Sequence, residues 1–159
     1  MKLRNIIYPV LIAALMVFIF CMSAENADDS TDTSTGFCAV AADLFIDNLS
    51  DFTPSVQEQI IDGFSFAVRK AAHFSEYALL GCLWYLWLHK KRYSPLIALG
   101  ASALYAVTDE FHQSFVPGRS CELRDMLVDS SGALTGIAFA FVLLCVIRCI
   151  KTKPWKQDT

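Results

Sequence analysis

A stretch near the middle of the 159-residue chain places three ionisable side chains at helical spacing. Arg69, His73 and Glu76 follow one another at intervals of four and three residues, so on a helix they would form one stripe. An arginine can bind an anionic group through two parallel hydrogen bonds, and a histidine beside a carboxylate can hold or move a proton near neutral pH. The stripe therefore predicts either acid–base chemistry or the binding of an anion.

A second stretch, about thirty residues further on, carries a similar set. Asp109, His112 and Gln113 would share one face of a helix, whereas Glu110 would be rotated about 100° away from that face. The candidates for acid–base catalysis in the two stretches are His73, Glu76, Asp109 and His112.

The composition indicates which kind of element holds these side chains. Hydrophobic residues make up 55% of the chain and charged residues 18%, and the mean hydropathy is +0.43. A soluble domain has roughly 45–50% apolar and roughly 25% charged residues. The excess lies in four apolar blocks, at 6–22, 71–88, 96–115 and 126–147, each long enough for a helix to cross a hydrocarbon layer of about 30 Å. We therefore predict an all-α membrane protein with four transmembrane helices and no nucleic-acid partner.

The distribution of charge predicts the orientation of these helices. Residues 23–68 hold nine acidic residues and no Lys or Arg. Nine of the 13 Lys and Arg residues precede the first block, separate the second from the third, or follow the fourth. Because cytoplasmic loops are enriched in Lys and Arg, we predict that both termini are cytoplasmic and that residues 24–68 form one long outer loop. Within this loop, 37–49 and 54–68 are predicted to be short amphipathic helices on the membrane surface.

The remaining segments are assigned by the same pattern. Residues 1–23 fit either a retained first transmembrane helix or a cleaved signal peptide, and the length of the apolar run favours the helix. Part of the outer loop, at 27–35, is acidic and rich in hydroxyl residues, which predicts disorder. Residues 69–150 form a three-helix core, and 151–159 form a basic cytoplasmic tail.

Polar groups of three blocks lie at matching depth. Glu76 and Asp109 each lie about six or seven residues inside the outer end of their block, which corresponds to roughly 10 Å. The fourth block begins on the same side with Arg124 and Asp125, and Asp129 follows one turn deeper. We therefore predict one shared site in which the stripe of the second block faces the stripe of the third.

The connection between the third and fourth blocks predicts a tight turn. Pro117 and Gly118 suit the central positions of a type II turn, which would place Arg119 over the mouth of the site. In the fourth block, Gly132 and Gly136 form a GxxxG motif that allows two helices to approach closely. The predicted ligand-binding residues are Arg69, Gln113, Arg119, Arg124 and Asp125.

Three interpretations of the polar residues fit the sequence. The arginines could simply pair with carboxylates whose charge would otherwise be costly to bury. The histidine and carboxylate pairs have the chemistry to bind a divalent metal, but no HExxH motif exists and the nearby arginines disfavour a cation. We therefore predict no metal and no cofactor. The third interpretation is a cavity in which arginines bind an anionic headgroup while a histidine–carboxylate pair handles protons.

The six cysteines predict little chemistry. Cys82, Cys145 and Cys149 lie in or beside apolar helices, where cysteine behaves as a small hydrophobic residue. Cys38 and Cys121 are both predicted to lie outside, either as a disulfide or, as we favour, as unpaired thiols. The absence of a CxxC motif argues against redox chemistry and a zinc knuckle.

Three segments together resemble the VanZ-like family. They are RKAAHFSEY at 69–77, DEFHQSFVPGR at 109–119 and DMLVDSSG at 125–132, in the order and at the separations usual for the family. The resemblance covers about 69–136. It implies a small multi-pass protein of the bacterial cell membrane, in a family named for a protein associated with resistance to the glycopeptide antibiotic teicoplanin. The Ser-x-Gln often found after the family's first span is Ser23-Ala24-Glu25 here, which leaves the three core segments unchanged.

The resemblance and the polar residues together predict a non-enzymatic protein of the cell envelope. Its outer-leaflet pocket would bind a membrane lipid, a lipid-linked cell-wall precursor or a glycopeptide, and would change susceptibility to teicoplanin. One alternative is an intramembrane enzyme acting on a lipid or polyprenyl-phosphate headgroup, although no recognised nucleophile is present. The other is a structural membrane subunit. An oligomer is compatible with each, and transport through four helices would require one.

Overall fold

The computed structural model describes residues 3–24, 46, 51–117, 119 and 121–152. These residues form four helices, α1 (Arg4–Ser23), α2 (Pro54–Leu88), α3 (Ser94–Gln113) and α4 (Leu123–Thr152), and no strand occurs among them. The predicted all-α class is therefore confirmed for this part of the chain. Two helices, Arg4–Ser23 and Leu123–Lys151, are long and apolar enough to cross a membrane. The four-span topology and the orientation of the termini stay predictions.

Helix α2 is longer than the sequence predicted. Residues 54–68 do not form a separate helix on the membrane surface, because they continue without a break into 69–88 and give one helix of 35 residues. The helix begins where Thr53 is extended and Pro54 occupies the first turn, a position in which the missing N–H of proline has no cost. The glycine at position 63 does not interrupt it, since one glycine in a helix costs only about 1 kcal/mol.

Close contact between α2 and α4 is made through glycines. A Cβ atom added at Gly136 would overlap the backbone of Ala78, and one added at Gly132 would overlap the backbone of Phe74. Gly81 of α2 meets α4 in the same way. The close approach predicted for the GxxxG motif is thus observed, and it holds the first half of α4 against the second half of α2.

The two remaining helices pack on this pair through apolar clusters. Ile12 and Ile19 of α1 contact Tyr77 and Leu80 of α2 and Ala106 of α3. A second cluster fills the opposite half of the bundle, and it consists of Tyr85, Ala98, Ile137 and Ala140.

The outer surface of the bundle is apolar and its interior contains acids. Leu104, Phe111 and Phe139 are each more than 60% exposed, whereas Asp109 and Asp129 are each 2% exposed. A soluble protein buries large apolar side chains and exposes carboxylates. The inverted arrangement is expected for helices that are surrounded by lipid.

Several predictions concern residues outside the described part of the chain. The predicted disorder at 27–35 and Cys38 lie outside it, as does the predicted helix at 37–49 apart from its residue 46. Cys121 is exposed and its thiol is free. The predicted type II turn includes Gly118, which is also outside the described residues.

Candidate functional site

A cavity of about 160 Å³ lies between α2, α3 and α4 near the start of α4. Its walls contain the ends of the two stripes and the connection between α3 and α4. The lining residues are Phe66, Arg69, Lys70, His73, Glu110, Gln113, Arg119, Glu122, Asp125, Val128 and Asp129. Nearly all of them are polar or charged, which is unusual for a cavity between otherwise apolar helices.

Three helices each bring one ionisable side chain to one point beside this cavity, where His73 and Asp129 line the wall and Asp109 does not. Ligand atoms of His73 from α2, Asp109 from α3 and Asp129 from α4 all lie within 4.8 Å of one another. The two aspartates are almost completely buried. The structure thus brings the predicted residues His73 and Asp109 together, and it adds Asp129, which the sequence analysis placed at the same depth without including it among the site residues.

Glu76 stands behind His73 on α2. Its Oε2 atom lies 4.0 Å from Nδ1 of His73, which is too long for a hydrogen bond but close enough for the carboxylate to attract a protonated ring. Within the described residues, this buried Oε2 has no hydrogen-bond partner. Glu76 therefore places a carboxylate beside the histidine and does not line the cavity.

Asp109 is held by side chains from two helices. Ser23 Oγ donates to its Oδ2 at 2.9 Å, and Gln113 Nε2 donates to the same oxygen at 3.2 Å. Ser23 is the last residue of α1 and is completely buried, so α1 also contributes to the site. Sequence reasoning missed Ser23, although a small hydroxyl residue at the outer end of an apolar block was a signal that could have found it.

His112 lies elsewhere. Its ring stacks on the ring of Phe20 in α1, with centroids 4.2 Å apart and planes inclined by 28°, and it does not line the cavity. His112 thus packs against α1, and its role in the site stays a prediction. Residues three apart on a helix are rotated by about 60°, and here that rotation turns His112 toward α1.

Glu110, unlike His112, is part of the cavity wall. Helical spacing puts it on another face of α3 from Asp109, yet its side chain lines the cavity and it is 2% exposed. The backbone N–H of Glu122 donates to its Oε2 at 3.1 Å. Because the chain before α4 covers this side of α3, a residue rotated away from Asp109 is still inside the site.

The basic residues of the site differ in their surroundings. Lys70 forms a hydrogen-bonded ion pair with Asp125 and lies 5.3 Å from the ring centroid of Phe66. Arg119 Nη1 donates to Gln113 Oε1 at 3.5 Å. Arg69, Gln113, Arg119 and Asp125 thus line the cavity.

Arg124 does not line the cavity, contrary to its prediction as a ligand-binding residue. Its guanidinium lies 5.9 Å from the ring centroid of Phe66, and the side chain is exposed. It occupies the second position of α4, and there the helix turns it to the outside.

The site residues lie within the part of the chain that matches a known protein family. A family model described as VanZ/LLP1 matches residues 8–145. The chain belongs to the VanZ/LLP1 family. This confirms the resemblance, and the match begins in α1, far ahead of the segments that indicated it. Family membership and the two apolar helices indicate a membrane protein. No curated protein and no solved structure matches the chain.

Proposed function

We propose that this VanZ/LLP1 protein is a multi-pass protein of the bacterial cell membrane whose cavity faces the outer leaflet. The cavity binds the anionic headgroup of a lipid or of a lipid-linked cell-wall precursor. Binding changes the susceptibility of the cell to teicoplanin-type glycopeptides. The observation that carries this proposal is the position of Arg69 and Arg119 in one polar cavity within an apolar bundle.

The two arginines suit a phosphate-type ligand. A guanidinium presents a rigid fork of donors that matches the oxygens of a phosphate or carboxylate. Arg69 has no carboxylate within 4.0 Å in the described part of the chain, so it is available to an anion. Lys70 is neutralised by Asp125 and contributes less.

The edge of the cavity suits an amphiphile better than a free anion. Phe66 lines the cavity, and 44% of its surface is exposed, so it forms an apolar step from the polar interior to the outside of the bundle. Phe111 and Leu127, which adjoin the lining residues Glu110 and Val128 in the sequence, are also exposed. A headgroup in the cavity could therefore keep its acyl or polyprenyl chain against these side chains and in the membrane.

Retention of lipid by the purified protein tests the proposal. Mass spectrometry should find anionic lipid or cell-wall precursor with the wild type, and several-fold less with an Arg69→Ala/Arg119→Ala variant. Arg92→Ala is the matched control, because Arg92 lies between α2 and α3, at the far end of both helices from the cavity. Equal retention by all three proteins would contradict the proposal.

Susceptibility of cells tests the physiological part. Cells with and without the protein should differ toward teicoplanin, and less toward vancomycin, because only teicoplanin carries a lipid chain. A lipid-targeting peptide serves as a third probe. Unchanged susceptibility to all three would refute a role in the response to these agents.

A second candidate is an intramembrane enzyme that acts on the headgroup. It is favoured by the grouping of His73 with Asp109 and Asp129, since a histidine between carboxylates can act as an acid or base. Turnover of lipid phosphates by purified protein, abolished in His73→Gln, would support it. No turnover with any divalent ion present would leave binding as the function. A purely structural role instead predicts that Asp109→Asn lowers protein level and phenotype together.

A further inference from the structure

We propose that His73, Asp109 and Asp129 form a binding site for one divalent cation, of which Zn²⁺ fits best, in the wall of the cavity. One imidazole nitrogen and two carboxylate oxygens come from three different helices and lie within 4.8 Å of one another. This assignment reverses the sequence-based expectation of no metal. That expectation lacked the third ligand, because the contribution of α4 depends on how α4 packs.

The free oxygens of the aspartates point to a ligand. Asp109 Oδ1 and Asp129 Oδ2 are buried and have no hydrogen-bond partner among the residues that the structure describes. Both side chains are 2% exposed. Two carboxylates at this distance in a low-dielectric interior cannot both carry an uncompensated charge. A divalent cation between them would satisfy both oxygens at once.

The donor set favours zinc among the common cations. Zinc accepts imidazole and carboxylate ligands at about 2.0–2.2 Å and often has three protein ligands with one open position. Ligand atoms in such a tetrahedral site lie about 3.4 Å apart. The three side chains would therefore need to shift by about 1 Å for their ligand atoms to reach a common cation. Mg²⁺ and Ca²⁺ prefer oxygen ligands, whereas an imidazole nitrogen suits zinc and other transition metals.

Glu76 completes the arrangement around the histidine. Histidine ligands usually have a carboxylate or carbonyl acceptor near the second ring nitrogen, which fixes the ring orientation. Glu76 Oε2 lies 4.0 Å from Nδ1 of His73, one small rotation from that contact. Glu76 would thus be a positioning residue and not a ligand.

The cation also explains how an anion could enter a cavity that contains so many acids. This part of the inference rests on the proposed function. The acids lining the cavity are Glu110, Glu122, Asp125 and Asp129, and the bases are Arg69, Lys70 and Arg119. Without a further positive charge, the deep end would repel a phosphate. A bound cation reverses this potential, and its open position could accept a headgroup oxygen.

Direct metal binding tests the site independently of any lipid. Purified full-length protein in detergent would be treated with a chelator, titrated with Zn²⁺ and analysed for bound metal by mass spectrometry. We expect one Zn²⁺ per chain and binding weaker by about tenfold or more in Asp129→Asn and in His73→Gln. Glu58→Gln is the matched control, because Glu58 is exposed near the start of α2 and does not line the cavity, and it should bind zinc like the wild type.

Two results would overturn the site. One is a wild type that binds no stoichiometric Zn²⁺, and the other is binding that survives in both ligand variants. Circular dichroism and gel filtration would show that the variants are folded, and Asp109→Asn replaces either variant that is not. Zinc binding without lipid retention would reject the proposed function and keep the site. Lipid retention without zinc binding would keep the function and reject the site.

Discussion

Substitution of Gly136 by alanine should separate α2 from α4. A Cβ atom at this position would lie 2.6 Å from the carbonyl carbon and 3.0 Å from the Cα atom of Ala78. Carbon atoms in contact are normally about 3.5–4.0 Å apart, and the carbonyl oxygen of Ala78 would lie closer still to the added methyl group. The helices must therefore move apart by more than about 1 Å. The obstacle is backbone, and no change of rotamer can remove it.

The magnitude follows from two opposing effects. Overpacking of this kind typically costs about 1–3 kcal/mol, whereas alanine in place of glycine gains about 1 kcal/mol of helix propensity. We therefore expect Gly136→Ala to lower the free energy of unfolding by up to about 2 kcal/mol. In Gly63→Ala the added methyl group meets nothing within 4 Å, so this control should be more stable by about 0.5–1 kcal/mol.

Unfolding in a titration with sodium dodecyl sulfate, followed by circular dichroism, measures both variants against the wild type. Opposite signs for the two glycines are the expected result. Equal stability of Gly136→Ala and Gly63→Ala would show that α2 and α4 are not in backbone contact. The site geometry derived from that contact would then be wrong as well.

Three further outcomes are expected. Tyr105→Phe removes the hydrogen bond from the Tyr105 hydroxyl to the carbonyl oxygen of Met16 and should cost about 1 kcal/mol in the same titration; no loss would exclude this link between α1 and α3. Lys70→Met should cost at most about 1 kcal/mol, since its partly exposed pair is weak, and Lys70→Arg should restore the stability. In intact cells, an impermeant maleimide should label a variant that keeps only Cys121 and should not label one that keeps only Cys149. The reverse labelling would refute the predicted orientation of the helices in the membrane.

The positions of the helices could be read from the sequence, whereas the depth of the polar layer stays a prediction. Hydropathy and the spacing of Arg69, His73 and Glu76 are local properties, and they do not depend on which helices are neighbours. The family segments lie in the same region, and the match over 8–145 agrees with them. Among the helix boundaries in the described residues, the break expected at position 68 was wrong, because no residue there interrupts the helix.

The membership of the site was decided by tertiary packing. Each step along a helix rotates a side chain by about 100°, so the neighbour on that side determines whether it meets solvent, lipid or another helix. His112 stacks on Phe20 of α1 and does not line the cavity. Glu110 accepts a hydrogen bond from the backbone of Glu122 and does line it. Glycine contacts between α2 and α4 set the distance at which Asp129 meets His73, and no spacing within one helix specifies that distance.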